Sequence, residues 1–177
     1  MAIAPPRRIA RLGGAAVGSA VFFVFVPGVV IGLVPWWLTG WRFVDPLPFW
    51  APMRLLGAVI VAGAVLVIVS AFVEFVVEGL GTPAPVAPPE RLVVRGVYRY
   101  VRNPMYVAAT AAIAGQALLL GQVGLLLYAA AVLAGAFAFV RVYEQPHLTE
   151  RFGSDYEAYV QNVPGWWPRM TPWKPSR

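Results

Sequence analysis

Between Arg91 and Tyr106 the chain gathers Arg91, Arg95, Arg99 and Arg102, the tyrosines Tyr98, Tyr100 and Tyr106, and the pair Asn103-Pro104, all just before a long apolar run. About forty residues later a second polar group, Arg141 and Glu144, closes another apolar run. Guanidinium groups offer planar donors suited to carboxylate or phosphate oxygens. A glutamate at a helix end accepts hydrogen bonds from hydroxyl or amino groups and can take up a proton. Taken singly, the arginines also fit a juxtamembrane basic cluster that sets topology and touches lipid phosphates, the tyrosines fit an interfacial belt, and Arg141 and Glu144 fit an intrahelical ion pair. The density of donors beside a returning carboxylate exceeds what orientation requires, and it points to a polar pocket.

Other chemistries are excluded or weakly supported. There is no cysteine, so disulfides, thiolate nucleophiles and iron–sulfur ligation are out. One histidine, His147, makes a zinc or haem site improbable, and no metal site is expected. His147 follows Pro146 and reads as a surface residue, with acid–base work as the alternative. Glu74 and Glu78 share a face at i and i+4 near the end of an apolar run, where solvation is the simpler explanation and a direct role the alternative. The Gly79-Leu80-Gly81 pattern lacks the strand, turn and helix of a dinucleotide site. No motif supports nucleic-acid binding.

The elements that must position these groups follow from composition. Of 177 residues 59% are hydrophobic and 12% charged, and the mean hydropathy is +0.68, too apolar for a soluble domain. We read an all-α integral membrane protein, one membrane-embedded domain over 1–177, with spans at about 13–38, 55–78, 104–120 and 123–143. The first apolar block is too long for a signal peptide and lacks a cleavage site, so it reads as a retained anchor. If four spans alternate, Arg42 and Arg54 stand alone on one side and the other twelve basic residues on the opposite side. The positive-inside rule then places both termini and the loop before Arg102 in the cytoplasm, in a bacterial inner membrane.

Prolines and glycines between residues 79 and 90 forbid helix and favour a stiff, extended cytoplasmic loop. Only Gly121 and Gln122 join the third and fourth blocks, which forces an antiparallel hairpin. Its open end returns Arg141 and Glu144 to the side of Arg102, Asn103 and Tyr106. After Glu144 the chain is expected to turn at Pro146. It then forms an amphipathic helix over about 147–162, striped by Leu148, Phe152, Tyr156, Tyr159 and Val163, which roofs the open end. Trp166, Trp167 and Trp173 read as interfacial anchors.

The run GTPAPVAPPERLVVRGVYRYVRNPMYV, followed by YEQPHLTERFGSDYEAYVQNVP, resembles the isoprenylcysteine carboxyl methyltransferase and phospholipid methyltransferase group of membrane enzymes. The likeness spans Gly79 to Arg169. It implies methyl transfer from S-adenosylmethionine at the cytoplasmic face, to a lipid-like or lipidated acceptor that enters from the bilayer. Carried over by position, the Arg91-Leu92-Val93 backbone would line the adenine. Tyr98, Arg102, Asn103, Pro104, Met105 and Tyr106 would close around the cofactor. Glu144 would bind its hydroxyl or amino groups, and Arg141 would hold or polarise the acceptor. The chain departs from many relatives in having Asn103 in place of histidine and Gln145 in place of a second glutamate. A small four-span transporter and a family member without turnover are the competing readings. The charges here sit at span ends rather than mid-span, which argues against transport.

Overall fold

Long runs of Leu, Val, Ala and Ile fold as helices in lipid because each backbone N–H and C=O must pair within its own segment. The structure, a computed structural model, describes residues 27–79 and 92–174, with backbone only for 75–79. Arg7, Arg8 and Arg11, the first half of the 13–38 span, the Glu78 side chain, the proline-rich loop and Arg91 lie outside the described residues. Within them all regular structure is helical: α1 (Gly28–Thr39), α2 (Ala51–Gly79), a 3-10 turn (Gly96–Arg99), α3 (Pro104–Leu120), α4 (Leu125–Phe152) and α5 (Ser154–Asn162).

Two stretches, Ala51–Glu74 and Leu125–Phe152, are long and apolar enough to cross a membrane, while α1 and α3 are shorter apolar helices. Leu55 and Leu66 on α2, and Leu127 and Val142 on α4, stand exposed. An apolar outer surface of this extent suits lipid and not water.

α3 is the central helix, packed against α2, α4 and the first turns of α1. Its small residues allow this. Gly57 of α2 and Gly115 of α3 meet backbone to backbone, and a Cβ on Gly57 would collide with the Gly115 carbonyl and the Leu119 amide. Ala108 and Ala112 pack with Ala64 and Ile68 of α2. Ile113, Ala117 and Leu120 pack with Leu125 and Ala129 of α4.

α1 carries a cost that α3 and α4 offset. Its first six residues form a π-turn, Gly28–Leu33, and Pro35 has no N–H for the Ile31 carbonyl four residues back. The Gln116 side-chain amide donates to that carbonyl at 2.8 Å, and the Tyr128 hydroxyl donates to the neighbouring Val30 carbonyl at 3.0 Å. Both polar side chains on otherwise apolar helices are thereby accounted for.

The α3–α4 turn is fixed by Gly121 at φ 72, where a Cβ would strike the Val44 carbonyl. Carbonyls at the end of α3 receive the Val44 amide at 2.8 Å on Leu120 and the Trp50 indole at 2.8 Å on Leu118. The segment between α1 and α2 thus closes over the hairpin turn, and the chemistry-bearing residues lie at the other end.

The end of α4 differs from the sequence expectation. The helix does not turn at Pro146 but runs through a π-turn, Val140–Glu144, into Gln145–Phe152. In the π-turn the Gln145 amide bonds the Val140 carbonyl five residues back, and Pro146 falls in the first turn of the following segment, where a missing N–H costs little. The expected single amphipathic helix over 147–162 is therefore two pieces, the tip of α4 and α5, broken at Gly153 with φ 49.

Candidate functional site

Pro104 starts α3, since proline suits a first helical position, and Asn103 stands at its N-cap. An asparagine there normally turns its side chain onto the first free amides. Asn103 does not. Its side chain is 6% exposed, and Nδ2 is buried without a hydrogen-bond partner. The Nη1 of Arg102, next in the chain, is also buried and unpartnered. Two adjacent donors are thus buried without a protein acceptor, and buried donors of this kind ordinarily pair with an oxygen.

One turn further along α3, the Tyr106 hydroxyl donates to Glu144 Oε2 at 3.1 Å, joining α3 to the π-turn of α4. Arg102 is the cation whose field acts on Glu144. Tyr106, Glu144, Arg102 and Asn103 thus meet at the open end of the hairpin. Arg141 does not join them. It is exposed, and its Nη1 lies 3.5 Å from Gln145 Oε1 on the same helix. In an ordinary α-helix residues three apart share a face; the wider π-turn carries them further round, so Glu144 looks inward and Arg141 outward.

The loop before α3 is held from both sides. Val93 and Tyr98 pack on Ala71 of α2, with Met105 alongside. The 3-10 turn begins at Gly96, φ 47, where a Cβ would come within 2.5 Å of Glu74 Oε1, so Glu74 lies directly over the glycine. On the other side Leu92 and Val94 pack against Tyr156, Tyr159 and Val163. The Tyr159 hydroxyl donates to the Tyr98 carbonyl at 2.7 Å. Burial raises the Tyr98 hydroxyl pKa well above its ordinary value, with Tyr159 and Glu144 adding to the effect. Burial likewise raises Tyr159, and raises Tyr156 against the opposing pull of Arg102. These are neutral hydroxyls across the physiological range.

The tail also holds the loop, which its residue types do not announce. Backbone bonds run from Arg102 N to Pro164 O at 2.9 Å, Asn103 N to Gly165 O at 3.2 Å, Arg169 N to Tyr100 O at 3.0 Å and Trp173 N to Arg99 O at 3.0 Å. Arg99 Nε donates to the Trp173 carbonyl at 2.7 Å and Arg102 Nε to the Val163 carbonyl at 2.8 Å. Of the three tryptophans expected at the interface, only Trp167 is freely exposed, at 81%. Trp173 stacks on Tyr159 with ring centroids 5.9 Å apart, and Trp166 sits between Tyr106 at 6.4 Å and Phe137 at 5.5 Å. Main-chain pairing of this kind has no residue-type signal. Only the aromatic spacing of Tyr156, Tyr159 and Trp173 hinted that the tail packs inward.

Among the described residues no group of three or more metal-ligating side chains comes together. The sequence profile of the phospholipid methyltransferase family matches residues 52–155, which takes in α2, the loop, α3 and α4. No curated protein and no solved structure matches the chain.

Proposed function

The chain belongs to the phospholipid methyltransferase family, and from that premise we propose that it transfers a methyl group from S-adenosylmethionine to a lipid-like or lipidated acceptor at the cytoplasmic face of a bacterial inner membrane. The observation that carries the reading is the meeting of Tyr106–Glu144 with the unpartnered donors of Arg102 and Asn103 at one end of the hairpin.

The residues fit such a cofactor. Arg102 Nη1 and Asn103 Nδ2 can donate to its carboxylate or ring acceptors, and Glu144 keeps acceptor capacity beyond the one bond from Tyr106. We assign Leu92, Val93, Pro104 and Met105 as apolar walls and the Arg91 backbone to the adenine side. When bound, S-adenosylmethionine supplies a methyl group on a sulfonium with a neutral thioether as leaving group. The protein's work is then mainly positioning, and it calls for neither a metal nor a covalent nucleophile.

Glu144 is the group able to accept a proton from an amine acceptor. Tyr98 is not, because burial holds its hydroxyl protonated. Arg141, exposed one helix turn away, is assigned to the acceptor, whose carboxylate or phosphate it can orient from the surface. We also assign four spans at about 13–38, 55–78, 104–120 and 123–143, with both termini cytoplasmic. The exposed Trp36, Trp37, Trp41 and Phe49 at the end opposite the site support this as an outer aromatic belt.

Membranes carrying the protein, incubated with radiolabelled methyl donor, are expected to place label in an organic-extractable, apolar product. Label only in water-soluble material, together with no thermal stabilisation of purified protein by S-adenosylmethionine, sinks the reading.

A further inference from the structure

We propose that the tail segment Val163-Pro164-Gly165 is the positioning element for the donor site, with Gly165 as its deciding residue; this rests on the methyltransferase reading above. Three consecutive tail carbonyls receive three donors from two consecutive loop residues. The Val163 carbonyl takes Arg102 Nε, the Pro164 carbonyl takes Arg102 N, and the Gly165 carbonyl takes Asn103 N. The strap therefore consumes the backbone amides and the Nε, and leaves Arg102 Nη1 and Asn103 Nδ2 buried and unspent. Which donors remain for a ligand is decided by which ones the tail uses.

Gly165 sits against the same two side chains, at the Nη2 of Arg102 rather than its unpartnered Nη1. A Cβ there would come within 3.3 Å of Arg102 Nη2 and 3.4 Å of Asn103 Nδ2. Arg102 Nη2, the end of a side chain, must yield by a few tenths of an ångström, while Asn103 Nδ2 stands at the edge of ordinary contact. The Gly165 φ lies outside the left-handed region, so its backbone accepts an alanine. Gly165→Ala is therefore a substitution that leaves the strap in place and displaces chiefly the Arg102 guanidinium, whose Nη1 is one of the two unspent donors. The strap also carries Trp166 over Tyr106, so the same segment borders the Glu144 side of the site. It lies beyond the family match, which ends at residue 155. Residues inside the matched region are thus held by residues outside it.

The test compares wild-type protein and Gly165→Ala in the same detergent. Three readouts are needed: equilibrium binding of S-adenosylmethionine and its demethylated product, the ligand-free unfolding midpoint, and steady-state kinetics on membrane lipid extract. The inference expects cofactor affinity to fall about tenfold, the cost of one weakened charge-assisted hydrogen bond. The cofactor KM rises in step, while kcat, the acceptor KM and the ligand-free midpoint stay near wild type. Amide exchange at Arg102 and Asn103 stays slow, because their bonds to Pro164 and Gly165 are intact. Unchanged cofactor affinity in Gly165→Ala, with wild type active, overturns the inference alone. So does a parallel loss of midpoint and of both KM values, which marks the tail as merely structural. A wild type that neither binds the cofactor nor transfers methyl groups overturns the methyltransferase reading, and the inference with it.

Discussion

The hydroxyl of Tyr106 donates to Glu144 across 3.1 Å although 38 residues separate the two in the chain. The bond ties the first turn of α3 to the π-turn of α4, so it reports at once on the hairpin and on the site. It also defines what each partner contributes: the carboxylate is the acceptor, and the phenol orients it.

Glu144→Gln keeps the shape and removes the charge. At about a hundredfold excess over its dissociation constant a ligand stabilises a protein by about 2.7 kcal/mol. That shift in unfolding midpoint with S-adenosylmethionine is expected in wild type and absent in Glu144→Gln. Tyr106→Phe leaves the carboxylate in place but unoriented, so its shift is reduced rather than lost. A full shift in Glu144→Gln contradicts the placement of Glu144 in the donor site.

Arg141 stands outside that cluster. Arg141→Ala is therefore expected to retain the full cofactor-induced shift and to lose turnover, by about tenfold or more if its guanidinium orients an acceptor carboxylate or phosphate. Kinetics beside the thermal shift separate the two. Equal loss of both places Arg141 in the cofactor site instead.

Gln116→Leu leaves the Ile31 carbonyl without a donor in an apolar setting. The expected cost is about 1 kcal/mol, read as a lower unfolding midpoint in detergent with cofactor affinity unchanged. Tyr128→Phe acts in the same direction through the Val30 carbonyl. An unchanged midpoint in both variants means that the π-turn of α1 needs no help from its neighbours.

Burial raises the folded-state pKa of Tyr98 and Tyr159 above the unfolded value of about 10. The stability linked to their neutral forms is complete below pH of about 10 and is lost as pH climbs beyond it. Tyrosinate absorbance is expected to show exposed tyrosines ionising first, and these two only as the protein unfolds. Ionisation of all seven tyrosines in one step, with the fold intact, contradicts their burial.

Much of this protein was legible in its residues. Apolar run lengths announce helices because lipid permits no unpaired backbone, and a link as short as the one after Leu120, expected as Gly121-Gln122 and found to extend to Gly124, leaves no geometry but an antiparallel hairpin. That hairpin alone puts Glu144 near Tyr106. Other features depended on tertiary contact. The equal standing that helical spacing gave Arg141 and Glu144 fails because the π-turn separates their faces, and nothing in a three-residue offset reveals a π-turn. Nothing in the sequence gives Gln116 and Tyr128 partners; the structure does, by setting the carbonyls freed around Pro35 opposite them.

The sequence by itself determined the membrane-embedded helical class, the family, and the set of polar groups gathered at one end, because residue type and spacing record burial and periodicity directly. The tertiary structure decided which of those groups turn inward, and it assigned the tail to hold them. The tail's hold rests on backbone carbonyls at Val163, Pro164 and Gly165, and a carbonyl is the same atom pair in every residue, so no choice of side chain could have announced it.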